Sequence, residues 1–148
     1  MTQYESLRLH CKALRLPTIR EVAGDAITRA ERESWSFEAF LLHLLEQELE
    51  GRRRRRIERM QKASHLPPGK TLAQLDENRL PLRVRRMLPR LQQGEFVDRA
   101  ENILFFGLPG TGKTHLAAAI GHALIETGRS VLFIPTFQLV GRLSLIHI

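Results

Sequence analysis

The chain has 148 residues, 43% of them hydrophobic and 6% aromatic, and 23 Lys and Arg against 16 Asp and Glu give it a net charge of +7. That is room for one domain or two small ones with an aliphatic core; the charge suits a polyanionic partner, nucleic acid or nucleotide phosphate, and also an ordinary basic protein. One cysteine, Cys11, excludes an internal disulfide and fits a reducing compartment, no apolar run reaches a membrane span, and residues 1–5 lack the features of a secretory signal, so a cytoplasmic protein with no membrane partner is expected.

The first 65 residues read as a helical domain. Leu7, Cys11 and Leu14 share one helical face, and Pro17 closes that segment. Thr18-Ile19-Arg20-Glu21 has the form of a capping box. It is followed by the apolar stripe Ile19, Val22, Ala23, Ala26, Ile27 and Ala30. Ser36 is placed to cap a third helix with the stripe Phe37, Phe40, Leu41, Leu44, Leu45 and Leu49. Its opposite face carries Glu38, Glu46, Gln47 and Glu50, and the same phase continues past Gly51 to Ile57 and Met60, as one long helix would.

Leu66-Pro67-Pro68-Gly69-Lys70 is a breaker cluster and the expected domain boundary. Residues 66–80 form a linker arm. From Pro81 to Leu91 the pattern predicts a helix with Val84, Leu88 and Leu91 inward and Arg83, Arg86 and Arg90 outward, ended by Gly94. The run Ile103-Leu104-Phe105-Phe106 reads as a buried strand, residues 115–127 as a helix stopped by Gly128, and Val131-Leu132-Phe133-Ile134 as a second parallel strand. The expected architecture is therefore α + α/β. A helical N-terminal domain (1–65) precedes the first βαβ part of a three-layer P-loop domain (81–142), which is incomplete.

Between the first strand and its helix stand Gly107-Leu108-Pro109-Gly110-Thr111-Gly112-Lys113-Thr114, a match to G-x-x-x-x-G-K-[ST] at every required position. The chemistry explains the spacing. Glycines let the backbone approach phosphate oxygens, and Pro109 stiffens the turn. Lys113 supplies a point charge for the β- and γ-phosphates, and the Thr114 hydroxyl is placed to ligate Mg²⁺. Unpartnered N–H groups and the helix dipole add positive potential at the helix start. ATP with Mg²⁺ is the expected ligand. His115 either reaches the surroundings of the nucleotide or is a solvated first-turn residue. His115 and His122 lie on one face seven residues apart, with no third ligand at a spacing that suits a metal.

Arg52, Arg53, Arg54, Arg55 and Arg56 are consecutive, so on a helix they point in every direction and at least one face is strongly basic. They suit sequence-tolerant contact with DNA phosphates or a solvated helix end favoured by the dipole. No aromatic residues interleave them for base stacking.

The motif with its continuation, Gly107 to Ala117, resembles the phosphate loop of IstB-like ATPases, helpers of insertion-sequence transposases. The resemblance extends through residues 77–86, Glu101-Asn102, Ser36-Phe37-Glu38, the arginine run, residues 128–133 and Pro135-Thr136, nearly the whole chain to Arg142. It implies an AAA+ ATPase that assembles as a homo-oligomer on DNA and directs the transposase of its own element. DnaC-like helicase loaders of replication, which differ in partner rather than chemistry, are the related alternative. A helical interaction module with a vestigial loop is the non-enzymatic one. The acidic Walker B residues, sensor and arginine finger that the resemblance implies do not occur in this sequence, so the chain is expected not to hydrolyse ATP. Residues 143–148 do not resemble the family. They read as a non-native tail, the translation of a sequencing adapter, or as the end of a natural short variant.

Overall fold

The fold, a computed structural model, describes residues 2–144; the expected tail, from residue 145 on, lies outside the described residues. The chain forms two compact units, residues 1–56 and 57–148, which divide inside a single long helix.

In the first unit α1 (Gln3–Ala13) opens with a capping box. Thr2 N–H donates to Glu5 at 2.7 Å, and Glu5 N–H donates to the Thr2 hydroxyl at 3.2 Å. Helix α2 (Pro17–Arg32) begins with proline at its first position, where the missing N–H costs nothing. The capping box expected at Thr18 does not form, because Pro17 already starts the helix and Thr18 lies within it. The cap comes instead from Glu48 on α3 (Phe37–Ser64). Ser36 does cap α3, accepting from Ala39 N–H at 3.1 Å. This helix runs through Gly51, as the continuous phase predicts. A cation–π contact of Arg29 over Trp35 (5.2 Å) and an edge contact of Trp35 with His43 (5.1 Å) fasten the α2–α3 turn.

The core of this unit is Cys11, Ile19, Ala26 and Leu44, with Leu16, Val22 and Phe40 against it. The predicted α3 stripe is therefore only one-third used. Phe40 and Leu44 face the core, while Phe37, Leu41, Leu45 and Leu49 stay exposed. The buried side of α3 turns toward Glu48 and Gly51, which a rule based on apolar residues alone does not select.

In the second unit the arm holds two 3-10 turns, Leu72–Gln74 and Glu77–Arg79. Then come α4 (Leu82–Gln93), closed by Gly94 in the left-handed conformation (φ 77°), the short α5 (Glu95–Asp98), α6 (Lys113–Glu126) and α7 (Thr136–Ser144). Helix α6 is the central element. Leu116, Ile120 and Leu124 pack with Leu88 of α4 and, around them, Val84, Leu91, Leu72, Leu75 and Phe105. On its other side Ala118 and Ile125 pack with Leu66, Met60 and Phe133.

Neither predicted strand has a ladder among the described residues. Residues 102–106 and 131–134 are irregular, and the one backbone bond from the second, Phe133 N–H to Ser64 carbonyl at 2.7 Å, goes to a helix end. A strand exists only through its neighbours' hydrogen bonds. Side chains of the first segment still alternate as strand residues do: Ile103 and Phe105 are half-buried, Leu104 and Phe106 exposed. No helix among the described residues is long and apolar enough to cross a membrane.

Candidate functional site

The glycine-rich loop leads directly into α6, whose first intrahelical bond is Leu116 N–H to Gly112 carbonyl at 2.9 Å. The N–H groups of Lys113, Thr114 and His115 precede that bond and open toward the loop. Gly110 (φ 79°) and Gly112 (φ 83°) both take the left-handed conformation, which a side chain makes costly. The space where a Cβ would stand is empty within 4 Å at each of them. The sequence therefore builds a concave turn of backbone whose open side faces solvent.

Lys113 reaches back across this turn. Its Nζ donates to the Gly107 carbonyl at 2.8 Å and the Leu108 carbonyl at 2.7 Å, and lies 3.5 Å from the Thr111 hydroxyl. Thr111 in turn donates to the Leu108 carbonyl at 2.8 Å. The ammonium thus sits over the cradle with neutral oxygens only, a position that the oxygens of an anion can take over with a gain in charge pairing. Thr114 is exposed at the helix start, free to present its hydroxyl to a cation held by that anion. Residues 107–114 thus form one turn at the start of α6, with Lys113 folded back across it.

His115 turns away from the loop. Its Nε2 donates to the Thr71 carbonyl of the arm at 3.2 Å. His122, one face-repeat further along α6, donates in the same way to the Pro67 carbonyl at 3.2 Å. The two histidines thus fasten the arm along α6. Their common face was visible in the sequence; the arm lying on that face was not, since nothing local specifies it.

The arginine run divides. Arg52 Nε donates to Glu48 Oε1 at 3.1 Å and its Nη2 to the Arg15 carbonyl at 3.0 Å. Arg55 Nη2 donates to Glu48 Oε1 at 3.2 Å and its Nη1 to the Thr18 hydroxyl at 2.9 Å. Glu48 is 4% exposed. Burial pushes its carboxyl up, but the Ile19 N–H, the Arg52 guanidinium and the Thr18 N–H outweigh that and hold it below the usual carboxylate range. Arg53 and Arg54 are exposed and bond to no other described side chain. The five arginines point in different directions, as a consecutive run on a helix must: Arg52 and Arg55 are internal partners, and Arg53 and Arg54 are outward. The signal that sequence reasoning missed was Glu48, four and seven residues before Arg52 and Arg55 on one helical face.

The model of the IstB-like ATP binding protein family matches residues 9–147. The chain belongs to the IstB-like family. Relatives include an insertion-sequence ATP-binding protein of Sinorhizobium fredii, 45% identical over 132 residues that make up 88% of this chain and 44% of that protein. The IS5376 ATP-binding protein of Geobacillus stearothermophilus is 37% identical over 139 residues, 94% of this chain and 55% of the relative. A shorter match, 43% over 50 residues (34% of this chain, 20% of the relative), is to the replicative helicase loader DnaC of Buchnera aphidicola. The chain spans about half the length of the curated insertion-sequence relatives it matches.

Proposed function

We propose that this chain is the ATP-binding part of a cytoplasmic AAA+ helper of DNA transposition. The observation that carries the reading is the loop: a full eight-residue motif on a helix N-terminus, with Gly110 and Gly112 in left-handed conformation and open space before them. Gly107 to Gly112 would line the phosphates with backbone N–H groups. Lys113 would exchange its bonds to the Gly107 and Leu108 carbonyls for the β- and γ-phosphates, and Thr114 would hold Mg²⁺. Mg²⁺ supplies charge neutralisation at the phosphates when bound. His115 acts one step away, by seating the arm (66–80) against the helix that carries Lys113. The segments 102–106 and 131–134 are proposed as strands of the P-loop sheet.

A transposase and DNA are the partners this reading assigns, supported by the insertion-sequence names of the relatives and by charge. Arg53 and Arg54, helped by the exposed parts of Arg52 and Arg55, suit duplex phosphates. Assembly into a homo-oligomer on DNA belongs to the same proposal. The match to DnaC favours a second reading, a helicase loader, over the segment that both families share. Equilibrium competition tests the nucleotide reading: a fluorescent ATP analogue with Mg²⁺ should bind saturably and be displaced by ATP. No saturable binding would leave the loop vestigial and refute it. Capture of the purified transposase rather than the replicative helicase would decide between the two partners.

A further inference from the structure

We propose that the outer face of α4 is a second contact for the backbone of duplex DNA, made by Arg83 and Arg86 and separate from the arginine run of α3. The inference rests on the DNA part of the proposed function and adds a site in the unit that carries the phosphate loop. From Asn78 to Gly94 the chain has five arginines, Arg79, Arg83, Arg85, Arg86 and Arg90, and no acidic residue. Helix α4 turns Val84, Leu88 and Leu91 into the core around α6. Arg83, Arg86 and Arg90 follow one another at steps of three and four, so they form one ridge away from that core, over about two turns. All three are exposed, and Arg90 is tied to Glu95 at 3.3 Å. The guanidinium groups of Arg83 and Arg86, and of Arg79 in the turn before them, have no hydrogen bond or ion pair among the described residues.

The free chain gains no stability from this arrangement. Like charges three and four apart on a helix repel. Arg83, Arg85 and Arg86 also stand near the start of α4, where the dipole is already positive, and neither the cap residue Pro81 nor an acid in the first turn offsets them. Arg85 adds a buried Nε with no acceptor among the described residues. Three local choices thus oppose the stability of one helix, the pattern of a surface that serves binding rather than folding. The occupant that relieves the repulsion is an extended polyanion. A convex ridge of guanidinium groups suits regularly spaced phosphates, whose oxygens take paired N–H donors. No aromatic residue from 78 to 94 offers a base a stacking partner, so a duplex backbone fits the ridge better than an unstacked strand does.

The test is fluorescence anisotropy of a labelled mixed-sequence DNA duplex, titrated with the whole protein over a range of salt concentrations. Arg83→Gln with Arg86→Gln should weaken binding and lower the slope of log affinity against log salt by about two. The same variant, free of DNA, should melt at a higher temperature than the unaltered chain, because the repulsion is gone. Arg53→Gln with Arg54→Gln, measured alongside, reports on α3. If that variant binds more weakly while the α4 variant binds as the unaltered chain does, the DNA reading stands and the α4 contact is overturned. No binding of the duplex by the unaltered chain overturns both. An α4 variant that loses stability together with affinity would make these arginines structural and overturn the proposal. So would polyglutamate that displaces the duplex at equal charge, since the ridge would then serve an acidic protein.

Discussion

Glu48 of α3 caps α2 across the bundle: its Oε2 accepts the Thr18 N–H at 2.8 Å. Ile19 N–H, the next free donor, reaches the same oxygen at 3.1 Å. These N–H groups stand at the second and third positions of α2, the ones an N-cap side chain ordinarily serves. Here Leu16 stands at the cap with no side-chain acceptor, so a carboxylate is borrowed from another helix and also gains the positive end of the dipole. The other oxygen, Oε1, takes Arg52 and Arg55.

Glu48→Ala should therefore destabilise the first unit by about 2–3 kcal/mol. That is less than the 3–5 of a fully buried pair, because both arginines keep contact with water. Chemical denaturation followed by far-ultraviolet circular dichroism would read it, and a loss below about 0.5 kcal/mol would contradict the cap.

The same carboxylate predicts an acid-labile term. Its folded value lies below the ordinary range, so the unfolded chain binds the proton more readily. The stabilisation is fully present above the ordinary carboxylate range and is lost as pH falls through the folded value. Glu48→Gln should then differ from the unaltered protein most at neutral pH, and the two should converge on the acid side. A gap that stays constant with pH would mean that Glu48 does not carry the charge argued for it.

Gly51→Ala sets two effects against each other. Alanine favours a helix interior over glycine by about 1 kcal/mol. At Gly51, however, a Cβ would overlap the Thr18 hydroxyl and lie 3.2 Å from Arg55 Nη1, the pair that locks α2 to α3. Overpacking costs about 1–3 kcal/mol, so a net loss of about 1 kcal/mol in stability is expected. A stabilised Gly51→Ala protein would show that the α2–α3 contact is looser than described.

Within the arginine run, stability and DNA affinity should separate. Arg53→Gln with Arg54→Gln should leave the melting temperature unchanged, lower affinity for duplex DNA and flatten its salt dependence by about two counterions. Arg55→Gln should lower stability, since it removes donors from Glu48 and Thr18. Equal loss of DNA affinity with no loss of stability at Arg55 would contradict the division.

Periodicity made the helices legible. The 3.6-residue phase carried α3 through Gly51, and Gly94 and Gly128 mark stops, with φ of 77° and 88°. The phosphate loop was legible for a different reason, since its chemistry is local and needs eight residues in order. Glu48 was not legible. A glutamate among leucines reads as a solvated position, and only the arrival of α2 with an uncapped end makes burial favourable. The buried position of Gly51 on the same side of α3 was missed for the same reason. Ile103 to Phe106 shows the converse case. Its alternation is encoded in the sequence, but strand status depends on hydrogen-bond partners that no local pattern supplies.

Calorimetric titration of Mg·ATP into the unaltered protein and into Lys113→Ala tests the central claim most directly. Lys113 places the one side-chain ammonium of the motif over the loop, 2.7 Å from the Leu108 carbonyl, and hydrogen bonds to charged groups contribute about 1.5–3 kcal/mol each. Affinity should fall at least about 10-fold, with the fold intact by circular dichroism. Equal affinity in the two proteins would contradict the assignment of residues 107–114 as the nucleotide site.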